Sequence, residues 1–115
     1  MPKVVFHVDE SARWPLVLAN ARNMVRYGRE EHVSFEVEIL ANSQAVRQLT
    51  EKDSSGLDRQ MEELSREGVC FAGCRVAMGN LNLTPGDLLP FVTTVPSGVV
   101  ELALRQDEGY SYIRP

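Results

Sequence analysis

Short β-branched runs recur along this chain, and most of the stretches between them are long enough to hold a helix. That alternation constrains the fold more than any other feature. Lys3-Val4-Val5-Phe6-His7-Val8 reads as a buried opening strand. Val33 to Leu40 reads as the second, with Val33, Phe35, Val37 and Ile39 alternating against Ser34, Glu36 and Glu38. Such alternation predicts one protected and one wetter face, as at a sheet edge. Val69 to Ala72, Phe91 to Val95 and Tyr110 to Ile113 read as three more strands.

The intervening segments carry helix signals. Pro15 suits a first helical turn, where its missing N–H has no partner to lose. Trp14, Val17 or Leu18, Ala21, and Met24 or Val25 recur at helical spacing, and Gly28 is expected as a left-handed C-cap. Asn42 or Ser43 is placed to cap a short helix through Leu49, and Thr50 to Gly56 reads as a loop. Leu57, Met61 and Leu64 mark one face of a helix that Gly68 closes. Thr84 and Pro85 start a short helical turn, and Pro96 to Asp107 reads as the last main helix, stopped by Gly109. Strands alternating with helices imply right-handed crossovers and a parallel sheet covered on both faces. The expected fold is a three-layer α/β/α domain of flavodoxin-like architecture over residues 1–115, with a five-stranded, mainly parallel sheet.

A chain of 115 residues matches one domain. It can bury about two-thirds of the surface its unfolded form exposes, enough to fold without a metal or disulfide staple. The net charge of −4 disfavours nonspecific nucleic-acid binding, which needs clustered Lys and Arg. No stretch approaches the roughly 20 apolar residues of a membrane span. Met1-Pro2-Lys3, with Asp9-Glu10 close behind, does not resemble a signal peptide. The expected location is the cytosol, where the two cysteines stay reduced.

In an open parallel sheet, ligands bind beyond the carboxyl ends of the strands. Those ends bring His7, Asp9, Asn42, Cys74 and Ser97 to one edge. Cys74 is the chemically distinctive member, because it stands where a strand gives way to a helix. A helix N-terminus offers unpaired N–H donors and partial positive charge, which favour the anion of a thiol placed there. Gly73 permits a tight turn and close approach by a ligand, and Arg75 adds positive charge if it points inward. The alternative reading of Cys74 is a small buried hydrophobe. Cys70 lies about 13 Å away along an extended strand, beyond the roughly 7 Å that a disulfide tolerates. It therefore reads as core packing, and the same geometry argues against a zinc site. His7 is either a general base near the thiol or a hydrogen-bonded core residue. Asp9 with Glu10 would repel a phosphate bound after the first strand, and no Gly-rich loop follows that strand, as a flavin, dinucleotide or P-loop site would want. Asn42 is equally explained as an N-cap. Trp14, Tyr110 and Tyr112 read as packing residues, and any left exposed would mark a subunit interface.

The opening Val-Val-Phe-His-Val-Asp-Glu with Trp14, the Ala41-Asn42-Ser43 after the second strand, and Gly-Val-Cys-Phe-Ala-Gly-Cys at 68–74 resemble the DsrE/DsrF-like proteins. The closing run from Val95 to Leu102, then Gln106 and Glu108 to Ile113, resembles the small, mostly uncharacterised branch of that family. The resemblance implies a five-stranded parallel sheet, assembly into trimers or hexamers, and a cytoplasmic role linked to sulfur metabolism. It also implies that the cysteine matching Cys74 accepts and passes on sulfane sulfur as a persulfide, with donor and acceptor proteins as partners. It assigns no such role to His7, Asn42 or Ser97. The expected function is sulfur carriage or transfer on one cysteine, without metal or organic cofactor. Two other readings stand beside it: an oligomeric module binding a small ligand or protein tail, and a thiol redox sensor.

Overall fold

Side chains leave the first strand in two directions, and the two directions found two cores. In the computed structural model, which describes residues 1–115, β1 (Lys3–Val8) sends Val4, Phe6 and Val8 into a large cluster and Val5 into a smaller one. The same division continues in β2 (Glu36–Ala41), where Val37, Ile39 and Ala41 join the large cluster and Leu40 the small one. The remaining strands are β3 (Cys70–Cys74), β4 (Val92–Val95) and β5 (Ser111–Ile113). The sheet order is β4-β3-β2-β1-β5, and every neighbouring pair is parallel.

This order dictates where the helices go. From β1 to β4 each strand is added beside the last in one direction, so right-handed crossovers place their helices on one face. That face carries α1 (Trp14–Glu31), the 3-10 segment Ser43–Leu49, α2 (Asp58–Arg66) and α3 (Arg75–Asn80). Trp14, Val17, Leu49, Met61 and Met78 pack there against Phe6, Ile39 and Phe71 in the large core. The connection from β4 to β5 runs back across the whole sheet, so its helix, α4 (Gly98–Asp107), falls on the opposite face. Only Leu102, Tyr110 and Val95 join Val5, Leu40 and Ala72 in the small core there. The sheet is covered on both faces, but unequally.

Several local expectations need correction. Gly28 is not a cap: α1 runs on to Glu31 and ends at His32, whose φ of 57° is left-handed. Glycine is required at 28 for another reason, since a Cβ there would lie 2.5 Å from the Val33 carbonyl oxygen. The second strand begins at Glu36 rather than Val33, and it is central in the sheet rather than at an edge. Its supposed wet face therefore holds a buried carboxylate, Glu38. The last helix starts at Gly98, two residues later than expected, while the short helix expected through Leu49 is present as a 3-10 helix over Ser43–Leu49. Trp14 is fully buried, its indole N–H donating to the Ala45 carbonyl at 2.9 Å.

Candidate functional site

The connection leaving β3 goes to one face of the sheet and the connection leaving β4 goes to the other. Adjacent strands whose connections part in this way leave a crevice between their carboxyl ends, the usual ligand position in such sheets. Cys74 ends β3 at that point, and Ser97 and Gly98 follow β4. Cys74 is the N-cap of α3, and its Sγ accepts from the Ala77 N–H at 3.5 Å. It also accepts from the Gly98 N–H, the first residue of α4, at 3.2 Å. Two helix starts, 24 positions apart in the chain, thus direct backbone N–H groups at one sulfur. Donors of this kind stabilise negative charge on sulfur more than they stabilise a neutral thiol.

The crevice is closed. Cys74 is 3% exposed and touches the large core. Asn42 packs against the start of α4: a Cβ at Gly98 would stand 2.9 Å from Asn42 Nδ2. Glycine at 98 therefore lets the α4 backbone come close enough to reach the sulfur. Asn42 is held by its own local bond, its Oδ1 accepting from the Ser43 N–H at 2.8 Å. Gly73 sits against Leu49, whose Cδ1 would lie 3.2 Å from an added Cβ. Ser97 is the N-cap of α4 but makes no side-chain cap bond.

Other residues expected at this edge are engaged elsewhere. Arg75 points along the sheet, its Nε donating to Thr94 Oγ1 at 2.9 Å, and not to the sulfur. His7 is level with Ala72 across the sheet, and Cys74 lies two residues farther along β3. At about 4.8 Å per strand and 3.3 Å per residue their Cα atoms are about 12 Å apart. His7 is paired instead with Tyr112, Nδ1 to hydroxyl at 2.7 Å, and its Nε2 is buried without a partner. Burial lowers the imidazole below its ordinary pKa, with Arg114 adding to that shift and Asp9 opposing it. Asp9 receives both of its carboxylate contacts from Arg114 Nη2, each at 3.0 Å. The strand-edge pair His7–Tyr112 and the ion pair Asp9–Arg114 thus form a second group beside β5, separate from Cys74.

Cys70 corrects an expectation. It is exposed rather than packed in the core, at the opposite end of β3, and both thiols are free. It pairs across the sheet with Glu38. Partial loss of water and the nearby Glu38 charge push the Cys70 thiol above its ordinary pKa, against an opposing pull from Arg105. Glu38 itself is buried beneath α4. Arg105 Nε donates to Glu38 Oε1 at 2.9 Å and to Glu101 Oε2 at 3.0 Å. Burial first, and then the Glu101 carboxyl, raise Glu38 to about 7 from an ordinary 4.5. Nothing in the sequence reading pointed to this cluster. The one signal available was the four-residue spacing of Glu101 and Arg105 on the last helix. No group of three or more His, Cys, Asp or Glu side chains is arranged to share a metal ion.

The family model described as the DsrE/DsrF-like family matches residues 3–115. The chain belongs to that family. Its members are commonly linked to sulfur metabolism. A solved structure of a protein of unknown function, MTH1491 from Methanobacterium thermoautotrophicum, is similar over the full length of both chains, at 32% identity and a TM-score of 0.89. The ychN protein from E. coli shares the fold over the full length of both chains, at 18% identity and a TM-score of 0.77. No curated protein matches the chain. No helix of this family member is long and apolar enough to cross a membrane.

Proposed function

We propose that this protein carries sulfane sulfur on Cys74 in the cytoplasm and passes it to a second thiol. The observation that carries the reading is the Cys74 sulfur at the crevice between β3 and β4, with Ala77 and Gly98 N–H groups directed at it. The Cys74 thiolate attacks the outer sulfur of a donor persulfide, so one S–S bond forms as another breaks and the donor leaves as a thiolate. An acceptor thiolate then takes the same sulfur and regenerates Cys74. No net oxidation occurs and no cofactor is consumed. The two N–H groups stabilise the sulfur anion before attack and after release.

The exposed side chains Val99, Val100 and Leu104 on α4, with Tyr112 on β5, support self-assembly into a trimer or hexamer through this thinly covered face. One experiment addresses both points. The protein is incubated with a sulfane donor and weighed by native and then denaturing mass spectrometry. Several subunits per particle and one added sulfur per chain are expected, the added sulfur being lost in Cys74→Ser and kept in Cys70→Ser. Sulfur that survives Cys74→Ser but not Cys70→Ser would overturn the assignment.

The burial of Cys74 favours one other reading, in which the protein is a binding module and Cys74 only lines its crevice. Under that reading no sulfur is gained, and ligand-dependent stabilisation is equal in wild type and Cys74→Ala.

A further inference from the structure

A sulfur that is 3% exposed cannot meet a donor persulfide unless something moves, and the geometry indicates what moves. We propose that α4 is a proton-controlled lid over Cys74: a proton shared between Glu38 and Glu101 clamps the helix to the sheet, and its loss frees the first turn of α4 from the sulfur. The inference rests on Cys74 being the working sulfur of the preceding section.

Four observations support the lid. The helix is the only one on its face of the sheet, so few contacts within its own subunit hold it. Its first residue supplies the Gly98 N–H that bonds the sulfur. Its last turn is fastened to the sheet through a single guanidinium group, Arg105, whose Nε serves Glu38 on β2 and Glu101 on α4 together. The Glu38 side chain is 4% exposed and its second oxygen, Oε2, is buried with no partner. A buried carboxylate oxygen without a donor is costly, and protonation removes that cost by turning the oxygen into a donor toward Glu101.

The charges around Glu38 work in the same direction. Glu36 lies on the same strand and accepts from the Tyr110 hydroxyl, whose pKa burial and that bond push up to about 12. Cys70 faces Glu38 from β3, and Lys3 enters from β1, over the Tyr110 ring. From α4 come Glu101, Arg105 and Glu108, the last accepting from Arg105 Nη1 at 3.0 Å. Burial works against the Arg105 charge, but Glu38, Glu101 and Tyr110 outweigh it and hold the group protonated. With Glu38 protonated, Glu38, Glu101 and Arg105 sum to zero charge. With Glu38 ionised, one uncompensated negative charge stands under the helix. Glu38 keeps its proton up to about 7 in the folded chain, against 4.5 ordinarily. The closed state is therefore favoured at lower pH and loses this support as pH rises through neutrality.

The test is the rate at which iodoacetamide labels Cys74 in the full chain, read by peptide mapping between about pH 6 and 8. An ordinary thiol gains about tenfold in thiolate per pH unit below its pKa. Wild type is expected to exceed that slope, because lid opening adds to ionisation, and Glu38→Gln to fall to it or below. Equal slopes in the two proteins would overturn the lid while leaving the carrier reading intact. Because Glu38→Gln perturbs a buried site, amide exchange in wild type provides a second measurement. Protection along Gly98–Leu104 is expected to fall with pH beyond the intrinsic change, and constant protection would overturn the proposal. Cys74 that labels readily at high pH yet never gains sulfur would refute the carrier and leave the lid standing.

Discussion

Strand β3 begins and ends with a cysteine, and the two ends are opposites. Cys74, at the carboxyl end, is buried beneath two helix starts whose N–H groups face its sulfur. Cys70, at the amino end, is exposed, yet Glu38 beside it opposes ionisation. Accessibility and polar contact are thus separated: one thiol has two backbone N–H groups directed at it but is covered, and the other is uncovered and faces a carboxylate. The cause is strand direction. In a parallel sheet with helical crossovers the carboxyl edge collects helix N-termini, while the amino edge collects helix C-termini.

Three perturbations can break or sharpen this contrast. The largest effect is expected from Arg105→Ala, which leaves Glu38 and Glu101 facing each other without a cation under α4. Removing one partner of a buried pair costs about 3–5 kcal/mol, and partial exposure of Arg105 reduces this to about 2–3 kcal/mol. Urea denaturation would register the loss, and Cys74 alkylation should accelerate, whereas stability within about 0.5 kcal/mol of wild type would show that the cluster does not hold the helix. Gly98→Ala comes next, since its new Cβ would meet the Asn42 side chain at 2.9 Å and lift the first turn of α4 from the sulfur. Overpacking of this kind costs about 1–3 kcal/mol. The variant should label faster at Cys74 than wild type at the same pH, and an unchanged rate would mean that the Gly98 contact does not close the crevice. The smallest effect is expected at Cys70. Its alkylation at neutral pH should be several-fold slower than that of an unstructured peptide thiol and should quicken in Glu38→Gln, and a rate equal to the peptide's would remove the contrast from that end.

The strands and the covering helices were legible because their periodicities are strong: the strand runs around Phe6, Phe71 and Tyr112 and the helical face of Met61 and Leu64 all fall where expected. The position of β2 was not. Alternation of Glu36 and Glu38 with Val37 and Ile39 signals a wet face, and a buried carboxylate paired to a helix 67 residues away produces the same pattern. Gly28 misled for a related reason, since a close approach from Val33 requires glycine as firmly as a cap does. At the site, the position of Cys74 at a helix start was readable from Gly73-Cys74 at a strand exit. Its second donor, Gly98, was not, because only the tertiary fold brings α4 back across the sheet. Sequence position points His7, and Arg75 if it turns inward, toward the edge, but their side chains turn to Tyr112 and Thr94 instead.

Site-resolved mass spectrometry of wild-type protein after exposure to a sulfane donor tests the central claim most directly, with free thiols and persulfides trapped by alkylation and the chain then digested. The account predicts the added sulfur on the peptide containing Cys74 and none on Cys70. Added sulfur on Cys70 alone would contradict it.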